Sequence, residues 1–218
     1  MVGVVNCCYG NKGKLPNRVL DIGAGSNAVA IALGFCVEND LIEVVASEPS
    51  HAMRDFALYE KDFSNINIQF LPDSIEEIVQ EYRQGAYVED FLYYRYFDTI
   101  TISSALAYYF SGMDDLWWQH FSEALQSLST DDATLIIIEP DAKRQLLERK
   151  LASAENSGWL LKDNQSKLLS EMLPNVQSKE LKLPRLTALQ SRYVNWWNVT
   201  SWNSYSRYVE HILIFQKR

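Results

Sequence analysis

Cysteine is scarce in this chain, with only Cys7, Cys8 and Cys36 among 218 residues. An odd count without metal-ligand spacing points to free thiols in a reducing compartment. The adjacent Cys7 and Cys8 leave a redox role open, while Cys36 continues an apolar stretch and reads as core. Histidine is equally sparse: His51, His120 and His211 are the full set. His51 and His211 have no recognisable Ser or Cys partner, which argues against a hydrolytic triad, and His120 reads as a surface or interface residue. No His/Cys/Asp cluster has zinc spacing, so no metal is expected. Basic residues number 20 against 28 acidic ones, a formal net charge of −8. That balance disfavours duplex nucleic acid as a partner. A long hydrophobic run is also missing, so neither a transmembrane helix nor a membrane partner is expected. The Met1–Cys8 start lacks a basic segment and a cleavage site, hence no signal peptide and a cytoplasmic location.

What the chain does have is alternation. Its length suits one α/β domain spanning 1–218, with 1–16 as an N-terminal extension and 177–218 as C-terminal strands and an aromatic loop. Strands are predicted at Arg18–Ile22, Leu41–Ser47, Ile66–Leu71, Phe97–Ile102 and Thr134–Glu139, the last a continuous apolar run suited to a central strand. Helices are predicted at Asn27–Val37, from Pro49-Ser50 to Glu60, after Asp73-Ser74, at Leu116–Leu128 and at Lys143–Ala154. In the third, Ile75, Ile78, Val79 and Tyr82 share one face; in the fourth, Leu116, Phe121, Leu125 and Leu128 recur near helical spacing. Repeated strand–helix units imply right-handed crossovers and a parallel sheet. The last quarter differs: Glu180–Leu183 and Val209–Phe215 read as strands without a helix between them, an antiparallel pair. The expected fold is a doubly wound, Rossmann-like, mostly parallel seven-stranded sheet closed by that pair.

The first strand ends in Asp21-Ile22-Gly23-Ala24-Gly25, followed at once by an apolar helical pattern. Two glycines spaced one apart let the backbone approach a ligand, and the N–H groups of a helix start favour a negative group. Such a turn cradles a nucleotide-like ligand at the carboxyl edge of a parallel sheet. Gly23, Gly25 and Ala28 formally satisfy the dinucleotide fingerprint with its alanine option. Glu48 closes the second strand, where an ionised carboxylate suits two ribose hydroxyls.

With Asp21 two positions before the first glycine, and Glu48 in register, the chain resembles class I S-adenosylmethionine (SAM) methyltransferases. The resemblance runs from Arg18 to the C-terminus, and the closing antiparallel pair fits it. It implies SAM as cofactor, with Gly23 and Gly25 close to its methionine portion and Glu48 on the ribose. Asp21 would organise the turn or meet the ammonium through water. Asp73 matches the position that holds the adenine amino group in relatives, although an N-cap of the following helix explains it as well. Two features depart from the family: Asn27 stands where a third glycine is common, and few residues precede the first strand. The cofactor edge is then either exposed or covered by another chain, in a homo-oligomer or a complex.

Methyl transfer is an in-line displacement that needs a nucleophile held close and water kept out. Ser103 and Ser104, after the fourth strand, are small enough to leave room for the methyl donor, and Ser103 is a candidate both for cofactor contact and for catalysis. Tyr108 is a candidate catalytic residue and Tyr109 a candidate substrate contact, with packing of the next helix the alternative for both. The segment lacks the Asn/Asp-Pro-Pro-Tyr signature of enzymes that methylate exocyclic amines of bases. Trp196, Trp197 and Trp202 lie in an Asn- and Ser-rich aromatic stretch, read as a substrate lid, a partner patch or a packing cluster. The reading is a SAM-dependent methyltransferase acting on a small molecule or a protein. Its rivals are a non-catalytic scaffold that works through a partner and an NAD-dependent oxidoreductase.

Overall fold

The computed structural model describes residues 16–25, 42–59, 66–86, 92–103, 105–106, 113–140, 158–168 and 209–217. Seven strands form one sheet in the order β3-β2-β1-β4-β5-β7-β6. They are β1 (Arg18–Ile22), β2 (Ile42–Ser47), β3 (Ile66–Leu71), β4 (Phe97–Ser103), β5 (Ser129–Pro140), β6 (Trp159–Leu168) and β7 (Val209–Lys217). Strands β1 to β5 pair in parallel, whereas β7 runs antiparallel to both β5 and β6. The described helices are α1 (His51–Tyr59), α2 (Ile75–Arg83) and α3 (Asp115–Leu128). None of these is long and apolar enough to cross a membrane.

The sheet grows in two directions from β1, so the β1–β4 gap is the topological switch point. Right-handed crossovers place α2 and α3 on one face and α1 on the other. Ile75, Ile78 and Val79 of α2 and Trp118, Phe121 and Leu125 of α3 accordingly join Leu20, Ile22, Ile100 and Ile102 in one core cluster. Central strands covered on both faces need apolar residues on both, and Val19, Leu20 and Ile22 are buried. Asp21, also buried, interrupts that run.

Local signals set the helix starts. Ser74 caps α2 in a capping box: its hydroxyl accepts from Glu77 N, while Glu77 accepts from Ser74 N at 2.6 Å. The cap is therefore Ser74 and not Asp73, because the reciprocal partner three residues on serves Ser74. Asp114 caps α3 by accepting from Trp117 N at 2.8 Å. The buried stripe of α3 starts at Trp118, and Leu116 is 54% exposed, contrary to the predicted apolar register.

One strand differs from expectation. The predicted strand Glu180–Leu183 lies outside the described residues, while the strand that pairs with β7 at the sheet edge is Trp159–Leu168, which was not predicted. Its Lys-Asp-Asn-Gln-Ser stretch has the composition of a loop, and pairing along β7 imposes the strand. The predicted helices at Asn27–Val37 and Lys143–Ala154 also fall outside the described residues.

Candidate functional site

The carboxyl ends of β1 and β2 meet in a small hydrogen-bond network. Gly23 N and Ala24 N both donate to Ser47 O, at 2.8 and 3.1 Å. Gly25 N donates to Glu48 Oε2 and Ser50 N to Glu48 Oε1, each at 2.8 Å. Glu48 thus fastens the glycine turn to the start of α1 from a buried position. Among the described residues, each Glu48 oxygen accepts one backbone N–H. Arg54 reinforces the corner, its guanidinium donating to Glu48 O at 2.5 Å.

Both turn glycines have positive φ, 68° at Gly23 and 54° at Gly25. Gly23 has a second reason to lack a side chain: a Cβ there would lie 2.6 Å from Ala105 Cβ. The turn after β1 and the segment after β4 therefore touch across the switch point. Strand β3 reaches the same edge, since Glu48 N donates to Leu71 O at 3.0 Å and Ser47 Oγ to Asp73 O at 2.5 Å.

Acid dominates this edge. Asp21 is 2% exposed and accepts from Thr101 Oγ1 of β4 at 2.7 Å. Burial raises its carboxyl to about 7; the Thr101 bond lowers it and the Glu48 charge raises it. Asp73 is also held above the ordinary range, first by burial and then by the charges of Glu81 and Glu77. Among the described residues of β1 to β3 and α1, Arg54 is the one Lys or Arg side chain at this end, and it is turned to a carbonyl. His51 and Asp55 pair with each other at 2.9 Å on the surface of α1.

Of the residues singled out from sequence, the structure brings Asp21, Gly23, Gly25 and Glu48 together, with Asp73 alongside. Ser103 ends β4 at the same edge, and its backbone pairs with Ile138. Asn27, Ser104, Tyr108, Tyr109, Trp196, Trp197 and Trp202 lie outside the described residues. Sequence reasoning missed Ser47, Arg54 and Thr101, which build the site through the fold. Of these, Ser47 had a signal, since it immediately precedes Glu48.

No protein-family model and no curated protein matches this sequence. Solved structures do. A TehB-like SAM-dependent methyltransferase from Corynebacterium glutamicum has a TM-score of 0.55 at 11% identity, over 100% of this chain and 87% of that one. The cyclopropane synthase MmaA2 from Mycobacterium tuberculosis has a TM-score of 0.59 at 12% identity, over 100% and 84% of the two chains. The chain has the class I SAM-dependent methyltransferase fold. The cyclase SpnF shares it too, with a TM-score of 0.56 at 14% identity over 99% of this chain and 80% of that one. One scaffold thus serves several reactions, and the reaction of this chain has to be argued from its own site.

The residues present fit SAM. A buried carboxylate bonded to the glycine turn suits a ribose diol, and Gly23 leaves no room for a side chain against the segment after β4. Three carboxyl groups at one sheet edge, Asp21, Glu48 and Asp73, also suit a cationic ligand.

Proposed function

We propose that the chain is a SAM-dependent methyltransferase whose acceptor is a small molecule or a protein side chain. The observation that carries this reading is the Asp21–Gly25 turn bonded through Gly25 N to Glu48 at 2.8 Å, on the shared fold. Glu48 would hold the ribose, Asp73 the adenine amino group, and Gly23 and Gly25 the methionine portion. Asp21 would supply negative charge beneath it. When bound, SAM supplies the electrophilic methyl group. The chain's part is to orient the donor, exclude water and hold the acceptor in line.

Charge separates this reading from NAD-dependent hydride transfer. A pyrophosphate brings negative charge to the turn, and here it would meet Asp21 and Glu48 with Arg54 already engaged. SAM brings a sulfonium and an ammonium. A non-catalytic scaffold would use the same pocket without transferring the methyl group.

Calorimetric titration with SAM, its demethylated product and NAD tests the reading. Binding of SAM and of the product, with turnover on an acceptor, is expected. Product binding without turnover on any acceptor identifies a scaffold, and binding of NAD alone overturns the proposal.

A further inference from the structure

Buried carboxyl groups with a neighbouring acid have two ways to lower their energy: keep a proton or acquire a cation. Among the described residues, the carboxyl edge of this sheet offers Asp21 no cationic side chain as a hydrogen-bond partner. From β2 comes Glu48, whose negative charge disfavours ionisation of Asp21. From β4 the described partner is the Thr101 hydroxyl, 2.7 Å away. The end of β3 adds a third carboxyl, Asp73, itself in the field of Glu77 and Glu81 on α2. On α1, Arg54 donates to the Glu48 carbonyl, and His51 is paired with Asp55.

We infer that this site takes up its cationic ligand in exchange for a proton. Asp21 carries its proton in part of the free population near neutral pH and releases it to solvent when the ligand seats. The inference rests on the SAM reading and extends it to regulation of the same site by pH. It also gives the site a means of telling donor from product. SAM carries two positive charges and one negative, whereas the demethylated product carries one of each. The donor therefore favours ionised Asp21 more strongly, and product leaves more readily as the acid regains its proton. Asp21 acts here through charge, not as a proton donor in the transfer step.

The test is calorimetry of SAM binding near pH 7 in two buffers of different ionisation heat. Net release of a fraction of a proton per site is expected, with less release for the demethylated product. Between pH 5 and 6, SAM affinity should weaken about tenfold per unit of acidification, and level off above Asp21's midpoint. Thr101→Val removes a bond that favours the carboxylate, so it should move that midpoint upward. A change that only loosened the fold would lower affinity without moving the midpoint. Asp21→Asn should abolish both the slope and the proton release; if it does not fold, the profiles of the native chain and Thr101→Val still decide. Binding of SAM with identical heat in both buffers and a flat pH profile overturns the inference and leaves the methyltransferase reading standing. No binding of SAM at any pH overturns both.

Discussion

The two ends of the parallel strands handle charge in opposite ways. At the amino end, acids and bases lie side by side, although one buried oxygen of Asp98 lacks a partner among the described residues. Tyr96 donates to Glu43 at 2.6 Å and lies under the Arg18 guanidinium, 4.5 Å from its ring centre. Asp98 accepts from Asn17 N and Arg18 N, and Arg95 pairs with Asp131. The last carbonyls of α3 are collected there: Arg95 N donates to Ser127 O, Tyr96 N to Leu128 O, and Lys217 Nζ to Gln126 O. Arg95 has a positive φ of 51°. A cleft of about 310 Å³ opens beside these groups, lined by Tyr82, Tyr94, Arg95, Glu123, Asp131 and Lys217 among others, with acids and bases interleaved. At the carboxyl end Asp21, Glu48 and Asp73 gather with one engaged guanidinium. The first arrangement stabilises the fold. The second costs stability in the free chain, and a ligand of the right charge relieves that cost.

The largest effect that sharpens this contrast is pH. The carboxyl of Asp21 is raised in the folded chain, so its contribution is fully present below the unfolded value near 3.8 and is lost as pH rises through about 7. The unfolding free energy of the free chain, from denaturant titrations, should therefore fall between pH 4 and 8 by on the order of 2–4 kcal/mol, and Asp21→Asn should flatten the fall. A flat native profile would erase the difference between the two ends.

Next come the glycines. Gly23→Ala meets Ala105 at 2.6 Å as well as a positive φ, while Gly85→Ala, just past α2, meets a φ of 77° with nothing within 4 Å. Denaturation should show a loss of about 3 kcal/mol for the first and about 1 kcal/mol for the second. Equal losses would mean that the switch-point contact is soft.

Glu48→Ala should weaken SAM binding by about 1–3 kcal/mol in titration, because a charge-assisted bond pair is lost. An unchanged dissociation constant would remove Glu48 from the ribose. The smallest effect belongs to the amino end. Lys217→Met removes donors to Gln126 O and Ser129 O and should cost about 1 kcal/mol of stability, with SAM binding unaltered.

Much of the carboxyl end was legible in the sequence because its parts are contiguous. Strand, acid and glycine turn follow one another from Arg18, and Glu48 closes the next strand. Strands β1, β2, β3 and β4 matched their predicted bounds to within a residue. The amino end was not legible. Its pairs join residues far apart in sequence, such as Lys217 with Gln126 and Tyr96 with Glu43, which only the sheet order brings together. Strand β6 was missed for a related reason, since its polar middle carries no strand signal until β7 supplies the partner. Asp73 was ambiguous for a local reason: two adjacent residues, Asp73 and Ser74, both suit an N-cap, and the position of Glu77 decided between them.

A crystal of the chain soaked in SAM would test the central claim most directly. Density lying across the Gly23–Gly25 turn, with both ribose hydroxyls on the Glu48 carboxylate, is the predicted result. No density at the Gly23–Gly25 turn, or the compound seated anywhere else, would contradict the account.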